Sequence, residues 1–155
     1  MQVVGLGTLG RLAAIINTMS PNHRKLEQAI AGVLARYPDV AAAYLFGSHA
    51  EGREHPGSDV DLALVGSHDR LAEQRLDLLA DLVCAGIDNV DLVLLDDADP
   101  ALRFEAVRHN RLVYARPEFD HGSHYSRVVR EYFDFEPYLR VQREALKQRL
   151  ADGAP

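Results

Sequence analysis

The sequence predicts an α/β (α+β) domain: a mixed β-sheet core with flanking helices and a helical C-terminal tail. Three observations carry this. Apolar runs of strand length recur at residues 40–46, 60–65 and 90–95. Around them lie longer stretches in which apolar residues return every three or four positions, the spacing of one helix face. From Pro117 to Leu150 the chain reads as largely helical.

Ser20-Pro21 predicts a helix start, with Ser as the N-cap and Pro in the first turn. Leu26, Ala29, Ile30, Val33, Leu34 and Tyr37 supply its apolar face, and Pro38-Asp39 ends it. Residues 40–46, small and aromatic, suit a buried strand. The next segment, 47–58, holds three glycines and a proline, which predicts irregular structure. It is short enough to make strand 60–65 a neighbour of strand 40–46. Residues 69–85 predict a helix with Leu71, Leu78, Leu79 and Leu82 on one side, closed by Gly86. A third strand at 90–95, a short helix at 100–110 and an edge strand at 111–114 complete the core. In the tail, Pro137 predicts a break or a new start. Tyr125, Tyr132, Phe133, Phe135, Tyr138 and Leu139 are expected mostly in the core, the remainder forming a partner surface. The organisation expected is an N-terminal extension (1–20), a core (21–116) and a tail (117–155) packed on the core or on a partner.

Composition narrows the function. The chain has 155 residues, 47% hydrophobic and 26% charged, enough to bury one real core. A single cysteine, Cys84, excludes an internal disulfide framework and fits a cytoplasmic protein. No apolar stretch approaches the roughly 20 residues of a membrane span. The opening MQVVGLGTLGRLAAIINT lacks a basic lead, and Arg11 interrupts it, so it is read as an extra segment rather than a signal peptide. The segment ends just before Met19, a candidate start. Its G-L-G-T-L-G matches a dinucleotide pattern in spelling only, with no full strand before it. A net charge of -6 argues against direct nucleic-acid binding. Bases nevertheless crowd after Leu102, among them Arg103, Arg108, Arg111, Arg127, Arg130, Arg140, Arg143, Lys147 and Arg149. The plain reading is a solvated helical face; the sharper one is a surface for a phosphate-bearing ligand or an acidic partner.

The chemistry concentrates in LFGSHAEGREHPGSDVDLALV, residues 45–65. Side chains two apart on a strand share a face, roughly 7 Å apart at the backbone. Asp59 and Asp61 therefore converge, while Val60 turns into the core. Two unpaired carboxylates repel and resist burial. A divalent cation relieves both, and magnesium favours one or two carboxylates plus phosphate oxygens. A third acid would serve a second metal or act as a base. Asp91, at the start of the third strand, is the candidate. The plain alternative is that these are solvent-facing strand-end residues. Gly47-Ser48 shifts the balance, offering unobstructed backbone N–H groups and a hydroxyl to a polyphosphate. Gly52 and Gly57 let the loop fold close.

Gly47-Ser48, ten residues, then Asp59-Val60-Asp61 resembles the G-S-x10-D-x-D signature of the polymerase β-like nucleotidyltransferase superfamily. Within it, the chain more closely resembles the small bacterial minimal nucleotidyltransferases (MNT), among them antitoxins paired with HEPN-domain toxins. Ala50, Gly52, Ser58 and Leu62 fit the wider pattern, VDLVLL supplies Asp91, and FDFEP at 133–137 resembles the antitoxin tail. The likeness covers about residues 22–150. It implies a nucleotidyltransferase core in which Asp59, Asp61 and Asp91 hold two magnesium ions and ATP. Gly47, Ser48, Arg53 and Ser58 would bind the nucleotide, and Asp91 would take the proton of the acceptor hydroxyl. It further implies AMP transfer to a HEPN toxin, most readily a tyrosine, within a hetero-oligomer.

The sequence departs from the family at His49, where relatives often carry Arg, and at Glu51, where a base is usual. Glu51 is unfavourable beside a triphosphate unless it points away, and Arg53 could restore the charge. His109, His121 and His124 cluster in sequence, and Arg116 to His121 matches the R-x4-H spelling of a HEPN ribonuclease site. Pro117 disfavours the uninterrupted helix that such a site needs. The histidines lack the Cys or i,i+4 partner of a zinc site. Two other functions stay open: a catalytically weak antitoxin acting by contact, and a small-molecule nucleotidyltransferase of the aminoglycoside-modifying type.

Overall fold

A computed structural model describes residues 21–153. Its elements are α1 (Pro21–Leu34), β1 (Val40–Phe46), α2 (Gly47–Glu51), β2 (Val60–Gly66), α3 (His68–Cys84), β3 (Val90–Leu94), α4 (Pro100–Val107), β4 (Leu112–Ala115) and α5 (His121–Asp152). Residues 1–20, with the Ser20 cap and the G-L-G-T-L-G run, fall outside that span.

The four strands lie in the order β3-β2-β1-β4. β1 runs antiparallel to both β2 and β4, whereas β2 and β3 are parallel. The mixed sheet follows from the connections. The segment between β1 and β2 reverses the chain, and α3 carries it back across so that β3 can start beside β2, as a parallel pair requires.

The sheet separates two apolar layers. On one face Ala43, Leu45, Leu62, Leu64, Leu92 and Leu94 meet Ile30, Val33 and Leu34 of α1 and Leu71, Leu78 and Leu82 of α3. On the other, Ala42, Tyr44, Phe46, Ala63 and Val65 meet Ala106 and Val107 of α4 and Val128 of α5. Strand alternation assigns each residue to its layer. Asp61 shares its face with Ala63 and Val65, but stands at the strand end opposite Phe46. The acid therefore sits on the α4–α5 side, where the apolar layer stops.

Several expectations are corrected. Residues 47–51 form a short helix rather than loop. Gly47 and Gly52 bracket it in left-handed backbone, with φ of 64° and 68°. Pro137 lies inside a continuous α5 and breaks nothing. It is exposed, as is Phe133, whose carbonyl is left without its helical donor and can bond water. Phe133 and Tyr138 are 63% and 69% exposed rather than core. Phe133 lies at the edge of an aromatic cluster, its ring centre 5.7 Å from that of Tyr132 and 6.4 Å from that of Phe104, and the Tyr138 ring stands 6.4 Å from Phe135. No helix among the described residues is long and apolar enough to cross a membrane.

Candidate active site

β1 delivers Gly47 and Ser48, and β2 delivers Asp59 and Asp61, to one end of the sheet. In the antiparallel β1–β2 register Phe46 faces Asp61, so the residue following β1 lands beside that carboxylate. Gly47 is required there. A Cβ on it would overlap the Asp61 carboxylate, and its φ of 64° suits glycine. The Gly47 backbone thus sits against the acid with no room for a Cβ between them.

The parallel β2–β3 register brings Asp91 directly beside Asp61. Asp59, immediately before β2, and Asp91 are exposed, while Asp61 is half-buried. Burial pushes the Asp61 carboxyl above the usual carboxylate range, and the Asp91 and Asp59 carboxylates push it further; nearby His49 opposes them. Three acids thus share one field, the condition that a bound cation would relieve.

Arg53, Ser58 and Ser48 make local contacts within the segment between β1 and β2. Arg53 pairs with the Glu51 carboxylate. The Ser58 hydroxyl accepts the His55 N–H at 2.7 Å and staples the loop. The Ser48 carbonyl accepts N–H groups from Gly52 and Arg53, closing α2. Glu51 gathers a network that local sequence did not reveal. Arg108 reaches it at 2.8 Å and His109 at 3.4 Å, while Glu105 holds Arg108 from the other side at 2.8 Å. The Glu51–Arg108 contact spans 57 positions. No periodicity could announce it; the unusual acid at 51 was the one available signal.

Among the described residues, the three metal-competent side chains whose ligand atoms lie within 4.8 Å of one another are Glu51, Glu105 and His109, not the aspartates. Arg108 already neutralises both of those carboxylates, so we read that group as an ion-pair network. The aspartates, more widely set, suit ions shared with a triphosphate, since paired catalytic ions stand roughly 4 Å apart. A cavity of about 440 Å³ opens at the far end of the sheet, lined by Ala41, Val65, Arg116, His124 and Arg127 among others, and does not touch the acids.

The histidines and Arg116 have structural work. His121 accepts a hydrogen bond from Tyr44 Oη at 2.9 Å and donates to Asn110 Oδ1 at 2.6 Å. Arg116 donates to the Val40 carbonyl at 2.9 Å. His124 is buried between Tyr44 and Phe119, and burial together with Arg127 holds it below the ordinary histidine range. Arg116 and His121 thus fasten α5 and its approach to the sheet.

Known proteins share this fold. The protein adenylyltransferase MntA of Shewanella oneidensis is 30% identical over 83 residues, which make up 54% of this chain and 60% of that relative. A crystal structure of a toxin–antitoxin with AMP-PNP aligns at 24% identity and a TM-score of 0.60, covering 81% of this chain and 98% of its own. A tri-AMPylated Shewanella oneidensis HEPN toxin in complex with its MNT antitoxin contributes a chain at 21% identity and a TM-score of 0.57, with 83% and 98% covered. At these identities the solved structures show a shared fold. The family described as Polymerase beta, Nucleotidyltransferase matches residues 28–119, a span holding Gly47-Ser48 and all three aspartates. The chain belongs to the polymerase β nucleotidyltransferase family.

Proposed function

We propose that this chain is an antitoxin that transfers AMP from ATP to a hydroxyl, a tyrosine in our reading, of a partner HEPN-domain toxin. The observation that carries it is the Asp61–Asp91 register, with Asp59 adjacent and the Asp61 carboxyl raised by burial and then by both acids. Similarity to a protein adenylyltransferase supports the reaction class, and similarity to a chain complexed with an AMPylated HEPN toxin supports the acceptor.

The donor set fits a hard cation: three carboxylates, two of them open to solvent, beside a backbone that no side chain blocks. Bound magnesium would neutralise the triphosphate and stabilise the charge that develops during in-line displacement. Asp59 and Asp61 would hold it. The backbone at Gly47-Ser48 would lie along the phosphates. Asp91 would accept the proton as the acceptor oxygen bonds to the α-phosphorus. The bond between the α-phosphorus and its bridging oxygen to the β-phosphate then breaks, and pyrophosphate leaves.

One observation favours the weaker alternative of an antitoxin acting by contact: Glu51 engages both Arg53 and Arg108, cations a triphosphate would otherwise attract. Nucleotide binding is tested by thermal unfolding with magnesium and AMP-PNP. Wild type should gain melting temperature by mass action. The Asp59→Asn, Asp61→Asn double variant should not. An equal gain in both would place the nucleotide elsewhere.

A further inference from the structure

α5 packs on the body through one face. Val128 is buried there, and Tyr132 stacks on Phe104 of α4 at 4.2 Å between ring centres. At roughly 100° per residue, Leu139, Leu146 and Leu150 continue that same face. α4, however, has already ended. Leu146 is 58% and Leu150 68% exposed, and every residue of 141–152 is exposed. A helix end with no tertiary contact is marginal in water, because most helical stability in proteins comes from packing an apolar face. This segment has such a face and nothing among the described residues to set it against.

Charge identifies what fits. Residues 138–152 carry four bases, Arg140, Arg143, Lys147 and Arg149, and two acids, Glu144 and Asp152. The helical repeat puts Arg143 within the leucine stripe, Arg140 and Lys147 along one edge and Arg149 along the other. Both acids fall on the far side. A second copy laid face to face would set bases against bases, at a cost. The complementary occupant is an apolar helix face edged with Asp and Glu.

We infer that the C-terminal half of α5 is the docking face for the partner protein, which presents a helix of that acidic-edged type. This rests on the proposed antitoxin reading for the partner's identity. Docking through a segment outside the acid cluster would hold the acceptor hydroxyl at the site without occupying the nucleotide groove, raising its effective concentration there.

The test uses the full chain and, as probe, the HEPN-domain protein of the proposed function. Two variants, Leu146→Asp with Leu150→Asp, and Arg143→Glu with Lys147→Glu, are compared with wild type by calorimetry. Each should weaken binding by at least about 30-fold, the scale of losing a central contact. Both should keep the wild-type melting response to magnesium and AMP-PNP, showing an intact fold. Wild-type affinity in either variant would overturn the inference. So would a wild-type dimer that the leucine variant dissociates while HEPN binding persists, since a second copy would then own the face. Tail-dependent binding without AMP transfer would support the docking face and overturn the enzymatic reading. A wild type that does not bind the probe would overturn both.

Discussion

Asp61 is held in a half-buried position beside two other carboxylates, and that placement weakens the apo fold. Its folded pKa is raised, so the native state binds more protons than the unfolded chain between the unfolded value and the raised one. Stability therefore falls as pH rises through that window and stays lower above it. Asp61→Asn should raise the apo melting temperature at pH 7, by about 2–4 °C. The gain should vanish at a pH below the unfolded carboxylate range, where Asp61 is neutral in both states. An unchanged or lowered melting temperature at pH 7 would mean that the acids are not in conflict. Gly47→Ala should act oppositely: its methyl group would displace the Asp61 carboxylate, costing both stability and the AMP-PNP response. At Glu51, neutralisation to Gln releases Arg53 and Arg108 and should tighten AMP-PNP binding by about two- to fivefold, the scale of one screened charge. Weaker binding would show that the pairs position the loop instead. The aspartates and Gly47 could be read from the sequence because their spacing maps onto strand alternation and a reversal. Arg108 and His109 could not, because only the folded chain brings them to Glu51.

At the scale of elements, strands were legible and interruptions were not. β1 matches its apolar run end to end, since a strand buried on both faces leaves an unbroken apolar stretch. α2 escaped because two glycines that usually mark a loop here frame one helical turn. Pro137 misled for a related reason: a missing donor matters little where the freed carbonyl is exposed. α5 is fastened to the sheet through the neutral His121 and His124, both held below the ordinary histidine range, with burial the largest cause. The unfolded chain takes up protons at these histidines before the folded one does. Stability should therefore fall as pH drops below about 6.5, the ordinary histidine value. His124→Phe should flatten that fall between pH 7 and 5 in thermal melts. An identical pH slope would show that His124 does not govern it.

For the whole molecule, the sheet separates tasks by its two ends and its two faces. Acids gather at the β1–β2 turn end on the α4–α5 side, α1 and α3 seal the opposite face, and α5 extends past the body. The result is an open site on a small core. Such a layout suits the proposed protein acceptor, which would supply the second wall of the site. The fold class was legible because each layer writes its own periodicity into the chain. The exposed length of α5 was not, because an apolar face reads alike whether it packs on its own core or on a partner.

The central claim is that the three converged acids transfer AMP to a partner protein, and intact-mass spectrometry of that partner tests it most directly. After incubation with wild type, ATP and magnesium, the HEPN partner should gain the mass of one or more AMP groups. Asp61→Ala and Asp91→Ala should remain folded and add nothing, because in the proposed mechanism one removes a metal ligand and the other the base. An unmodified partner, neutralised as fully by Asp61→Ala as by wild type, would contradict the claim and leave contact alone as the means of neutralisation.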